Sequence, residues 1–255
     1  SFVPPQPAST VPVAGLTVPV VLEASVYTSE LVATNWSSRA RTLTLTFVSD
    51  QVALPGNAAS VELPLAAGAQ AILPNVFQYF RDRGAAGIGP AGGGYVGALF
   101  VTSADGDLSG VVVGARTSSP GGGGRYGLFY PATPAGAAST DSAWLYGLQQ
   151  NAGNRSNLAI VNTGEADGGD DVFAVDLYDG ATGQLVRTET GLTVESRRWA
   201  QWDRVLERWA PGVTQGYARV RRTSGSNPFL AYAVVNDGGV PQQRSDDGAF
   251  LPASD

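Results

Sequence analysis

The chain has 255 residues, room for one large domain or two ordinary ones, and 43% apolar against 15% charged residues is the balance of a packed core. Its net charge of −6 carries no basic stripe, which excludes the usual footprint of a nucleic-acid binder, and no apolar run approaches the ~20 residues of a membrane-spanning helix. His, Cys, Met and Lys are all absent, which removes disulfides, ordinary imidazole or thiolate metal sites, and nucleophilic catalysis that relies on His, Cys or Lys.

Residues 1–19, SFVPPQPASTVPVAGLTVP, hold five prolines. Such a segment cannot be helical and reads as an extended arm, long enough to reach ~60 Å. Val11, Val13, Leu16 and Val18 alternate loosely along it and are the candidate subunit contacts, by strand addition to a neighbouring sheet edge. The start without Met reads as a processed terminus, with a secretion signal expected to have been removed.

Strands follow. In TLTLTFV (42–48), Leu43, Leu45 and Phe47 share one face, and the threonines and Val48 the other. The stretch 74–84 predicts a short helix capped by Asn75, with Gln78 completing a capping box and Gly84 stopping it. GGYVGALFVT (93–102) and SGVVVGAR (109–116) are further strands. VFAVDLYDG (172–180) alternates again and leads into a hairpin turn. A second helix is predicted over 202–212 with Asp203 as its cap and Pro211 as its stop, and GYARVRRT (216–223) and FLAYAVV (229–235) complete the strands.

The two halves carry the same phrases in the same order. SELVATN (29–35) matches SNLAIVN (156–162), and Val76, Phe77 and Phe80 match Val205, Leu206 and Trp209. GYVGALFVTS (94–103) matches GYARVRRTS (216–224), GVVVGAR (110–116) matches AYAVVND (231–237), and GLFYPA (127–132) matches GAFLPA (248–253). Five ordered anchors, spaced 121 to 129 residues apart, predict a duplicated module. The expected fold is all-β: two related β-sandwiches, immunoglobulin-like or jelly-roll-like, over 20–135 and 136–255, each with one short helix, after the arm over 1–19. In each copy the closing phrase reads as the last strand, with Phe129 or Phe250 directed into the core. This pattern resembles immunoglobulin-like tandem modules of bacterial secreted and surface proteins, although the Cys–Trp–Cys spacing of true immunoglobulin domains is missing.

Little in the sequence carries chemistry. GIGPAG (87–92) fits G-x-G-x-x-G, but a strand follows it where a dinucleotide site needs a helix. DGDLSG (105–110) places Asp105, Asp107 and Ser109 as a calcium loop would, yet Arg116 stands where the bidentate Glu belongs. EADGGDD (165–171) is a second acidic loop. Asn35 (NWS) and Asn154 (NRS) fit the glycosylation triplet. Trp199, Trp202 and Trp209 cluster near the second helix and read as packing, while Trp36 and Trp144 stand apart. No cofactor, metal or catalytic residue is expected. The expected function is a non-enzymatic extracellular structural or adhesive protein that assembles with itself or other surface components. A carbohydrate-binding protein with a polysaccharide partner is the alternative, and a carboxylate-based glycoside hydrolase the second.

Overall fold

The computed structural model describes residues 13–50, 53–55, 58–121, 123–241, 243–245 and 247–254. The alternating runs become strands. In the first half these are β1 (Leu16–Ala24), β2 (Tyr27–Asn35), β3 (Arg41–Ser49), β4 (Ala59–Leu65), β5 (Gln70–Leu73), β6 (Tyr95–Ser103), β7 (Val111–Gly121), β8 (Gly124–Pro131) and β9 (Thr133–Pro134), with helix α1 (Val76–Asp82) before β6. The second half has β10 (Ser142–Gln149), β11 (Asn154–Asn162), β12 (Asp171–Asp179), β13 (Leu185–Val194), β14 (Trp199–Trp202), helix α2 (Val205–Trp209), β15 (Gln215–Ser224), β16 (Phe229–Asp237) and β17 (Gly248–Pro252). Among the described residues every strand pairing is antiparallel, and the architecture is all-β and sandwich-like. Among the described residues no helix is long and apolar enough to cross a membrane.

In the second half one sheet runs β10-β15-β12-β13 and the other β14-β11-β16-β17. The first half has the runs β1-β6-β3-β4 and β5-β2-β7-β8, bridged by two residue pairs between β1 and β2. Strand for strand the orders agree, and so do the registers. Leu99 lies opposite Val18 and Phe47, as Ala218 lies opposite Leu145 and Leu177. Val32 lies opposite Ile72 and Gly114, as Ala159 lies opposite Gln201 and Tyr232. The order differs from the ABED and CFG sheets of the immunoglobulin constant type, so the likeness to that fold stops at the sandwich.

The matched residues do matched work. The Leu22 amide donates to Ser29 Oγ at 2.8 Å, and the Gln149 amide to Ser156 Oγ at 2.7 Å, each just past a bulge in β1 or β10. Asn35 and Asn162, both fully buried, donate from Nδ2 across the sandwich to the last carbonyl of a strand in the other run, Leu65 of β4 at 3.2 Å and Val194 of β13 at 3.1 Å. These bonds satisfy carbonyls that the ladder leaves over at the strand ends. Asn35 Nδ2 is committed to this clasp, so the acceptor nitrogen of the glycosylation triplet lies inside the fold.

Several expectations are corrected. Leu16 and Val18 are 6% and 0% exposed in β1, whose pairing with β6 places them in the fold's own core rather than in an arm. Pro19 falls in the bulge between Val18 and Val21, where no ladder N–H is required. Val13 is half-buried, with its carbonyl accepting from the Leu108 amide, and Val11 lies outside the described residues. The anchors on β6 and β7 slip by three residues: Gly97, not Gly94, corresponds to Gly216. A Cβ on Gly97 would sit 2.0 Å from the Val48 carbonyl oxygen, and one on Gly216 2.5 Å from that of Tyr178, so both positions need glycine for the same close approach.

Asn75 caps α1 as expected, accepting from the Phe77 and Gln78 amides, but Gln78 turns to Asp82 instead of closing a capping box. Arg204, in left-handed backbone at φ 49°, is the N-cap of α2, and Asp203 binds Arg208 and Arg204 rather than the helix end.

Candidate functional site

The loops singled out for chemistry are tied up structurally. Asp105 and Asp107 both bind the guanidinium of Arg41, a side chain only 4% exposed, so a positive charge already stands where a cation would. The Ser109 hydroxyl and amide, then Arg41, hold the Asp107 carboxyl down at about 2. The GIGPAG loop wraps Tyr95, whose hydroxyl accepts from the Gly89 amide at 2.6 Å. In the second acidic loop, Asp167 accepts from the Gly169 amide at 2.7 Å and from Asn227 Nδ2 at 3.0 Å, which ties the loop to the connection between β15 and β16. Among the described residues no group of three or more acidic side chains is placed to hold a metal. Buried Glu23 pairs with Arg81 (2.7 Å) and takes Asn75 Nδ2 (2.7 Å), clamping α1 to β1. Burial pushes the Glu23 carboxyl up, but these hydrogen bonds outweigh it and hold it below its ordinary value.

What the fold presents instead is a set of sheet faces. One is a filled seam between the halves. The outer face of β14-β11-β16-β17 carries Ala159, Val161, Trp199, Tyr232, Val234 and Phe250, all packed into the first half's core cluster. Trp199 Nε1 donates to the buried Tyr232 hydroxyl at 2.7 Å. Tyr130 meets Tyr232 and Phe250 at ring-centroid distances of 5.6 and 5.3 Å. The seam covers the outer face of β1-β6-β3: Arg197 lies 4.4 Å over the Phe100 ring, and Val48 borders a crevice with Glu195–Arg198. Trp202 and Trp209 pack together at 6.1 Å against the second core, so this pair is packing, as expected, while Trp199 serves the seam.

The second face is open. Trp144 and Tyr146 on β10, Tyr217 on β15 and Tyr178 on β12 form a plate on the outer side of β10-β15-β12-β13. Tyr178 and Tyr217 stack at 4.8 Å and 2°, Trp144 and Tyr146 at 6.3 Å and 8°, and the Arg219 guanidinium lies 5.5 Å over Trp144. Beside them Arg221 is neutralised by Asp176 (2.7 Å), which leaves Arg219 as the charge that the aromatic plate carries.

The third face is also open and lies on the outer side of β5-β2-β7-β8. Ile72, Val112 and Phe129 are 55%, 54% and 49% exposed, with Val32 half-buried among them. Phe129 packs against Gly114, whose added Cβ would come within 2.2 Å of the ring. Exposed Trp36 shares with Val112 and Phe129 a cleft of about 720 Å³ that Val13 also lines. Here the expected direction of the closing phenylalanines is wrong: Phe129 faces outward and Phe250 faces the seam. Both sit opposite the same register position, Arg116 and Val234, on the sheet's outer side.

Sequence reasoning missed both open faces. Alternation marks which residues share a face; nothing local marks which face a distant strand will cover. Comparison with protein-family models, curated proteins and solved structures found no match.

Proposed function

We propose that the chain is a tandem duplication of one β-sandwich, divided near residue 135, and acts as a non-catalytic structural and adhesive subunit of the cell exterior. The observation that carries this reading is what recurs between the halves. Ser29 and Ser156, Asn35 and Asn162, and Gly97 and Gly216 are all scaffold positions, satisfying backbone or permitting close strands. Among the described residues no carboxylate recurs with them, the recurring Ser29 and Ser156 hydroxyls accept from backbone amides, and Asp105, Asp107, Asp167 and Asp176 are held by arginine, hydroxyl or amide groups. The exposed residues that stand out are aromatic and aliphatic, which suits contact rather than reaction. The exterior location rests on the resemblance of the strand pattern.

Two measurements on the full chain test it. Light scattering across a concentration series is expected to show association, and incubation with a panel of polysaccharides is expected to release no reducing sugar. Turnover of any glycan, lost on replacing one Asp or Glu by its amide, would replace this reading with the hydrolase.

A further inference from the structure

The two open faces are counterparts of the two surfaces that meet in the seam. Register equates Phe129 with Phe250, Val112 with Leu230, Val32 with Ala159 and Gly114 with Tyr232. The first half's open face is therefore the same side of the sandwich that the second half buries. Likewise Trp144 stands at the position of Thr17, Tyr178 at that of Val48, Tyr217 at that of Ala98 and Arg219 at that of Phe100. The plate is the side of the second half that, in the first half, lies under the seam.

Resting on the duplication reading, we infer that copies of this chain stack head to tail, the Val32–Ile72–Val112–Phe129 face of one copy seating on the aromatic plate of another and repeating between molecules the joint that links its two halves.

Size and charge are exchanged across the two joints in step. In the seam the covering side carries the large Trp199 and Tyr232, and the covered side carries the small Thr17, Val48 and Ala98 beside Phe100. Between copies the covering side is small, with Gln70 and Gly114 in place of Trp199 and Tyr232, and the covered side is large, with Trp144, Tyr178 and Tyr217. At the seam a left-handed residue, Arg197 at φ 61°, places its guanidinium on Phe100. The corresponding turn of the first half has left-handed Gly68 at φ 68°, and the plate carries Arg219 in place of Phe100. An arginine at both positions would set like charges face to face, and the chain has one at each joint, on opposite sides. The two faces are different, so the contact is heterologous and does not close on itself as a two-fold dimer would. A polysaccharide would account for the plate alone, and leaves the apolar face on the other half unexplained.

The test uses the full chain and two exposed substitutions, Val112→Arg on one face and Tyr146→Glu on the other, with circular dichroism and melting confirming that each variant folds. In sedimentation velocity the unaltered chain is expected to grow in mass continuously with concentration, and each variant alone to associate at least tenfold more weakly. An equimolar mixture of the two is expected to stop at a one-to-one complex, because one variant keeps an intact plate and the other an intact apolar face. Three results would overturn the stacking: an unaltered chain that stays monomeric at ~1 mM, one that stops at a dimer, or a mixture that forms no complex. A monomeric chain whose tryptophan fluorescence is quenched by a soluble polysaccharide, with the quenching lost in Tyr146→Glu, would assign the plate to glycan instead. A chain that associates, but whose association neither Val112→Arg nor Tyr146→Glu weakens, sinks the stacking and leaves the structural-subunit reading standing, so the two fail separately.

Discussion

Asn35 and Asn162 each spend a buried amide on carbonyls that the strand ladder leaves over. Replacing either by Ala leaves those carbonyls unpaired away from water, at a cost of about 2 kcal/mol. The two losses are expected to be similar in chemical denaturation, which follows from equivalent roles. The Glu23–Arg81 pair is a second such residue-scale device. Arg81→Ala strands a buried carboxylate and is expected to cost about 3 kcal/mol. Glu23 and Asp176 are both held below the ordinary carboxylate range, Asp176 chiefly by its hydrogen bond from Arg221. A carboxyl depressed in the folded state contributes stability above its unfolded pKa and loses it as pH falls through the folded value. The urea midpoint should therefore hold at neutral pH and fall below about pH 4, and Glu23→Gln should flatten that fall. Calcium is expected to leave the melting temperature unchanged, because Arg41 fills the space between Asp105 and Asp107; a rise would contradict that reading.

At the scale of elements, close packing of β6 on β3 and of β15 on β12 depends on Gly97 and Gly216. An alanine at either drives a methyl into a carbonyl oxygen of the neighbouring strand. Each substitution is expected to cost roughly 3 kcal/mol, the upper range for overpacking, read as a lowered melting temperature with the far-ultraviolet spectrum retained. Strands were legible because period 2 is a local property: Leu43, Leu45 and Phe47 face inward as their spacing requires. The matched Ser and Asn of SELVATN and SNLAIVN were legible too, since short polar residues inside an apolar strand need a structural reason. Register on β6 was not. A Gly–Tyr pair occurs at 94–95 and again at 216–217, and the eye aligns them, whereas the close carbonyl that selects Gly97 belongs to β3, some fifty residues away. The cap of α2 failed for a like reason: Asp203 has two arginines within reach that outbid the helix end.

For the whole molecule, the aromatic residues were visible in the sequence and their grouping was not. Trp144, Tyr146, Tyr178 and Tyr217 come from three strands and lie up to 73 residues apart, and only the sheet order brings them onto one plate. Phe129 and Phe250 look alike in sequence and hold equivalent positions, yet one is bare and the other covered. On the duplication reading, that difference is a property of tandem arrangement: two modules in series leave one face of each unmatched. The proposed stacking places the subunit contact on these faces and not along Leu16 and Val18, which β1 already buries.

Electron microscopy of the concentrated full chain tests this most directly. Head-to-tail stacking requires unbranched filaments in which every sandwich is related to the next by one operation, the same within a chain as between chains. Dispersed single particles, or closed pairs related by a two-fold axis, would contradict it.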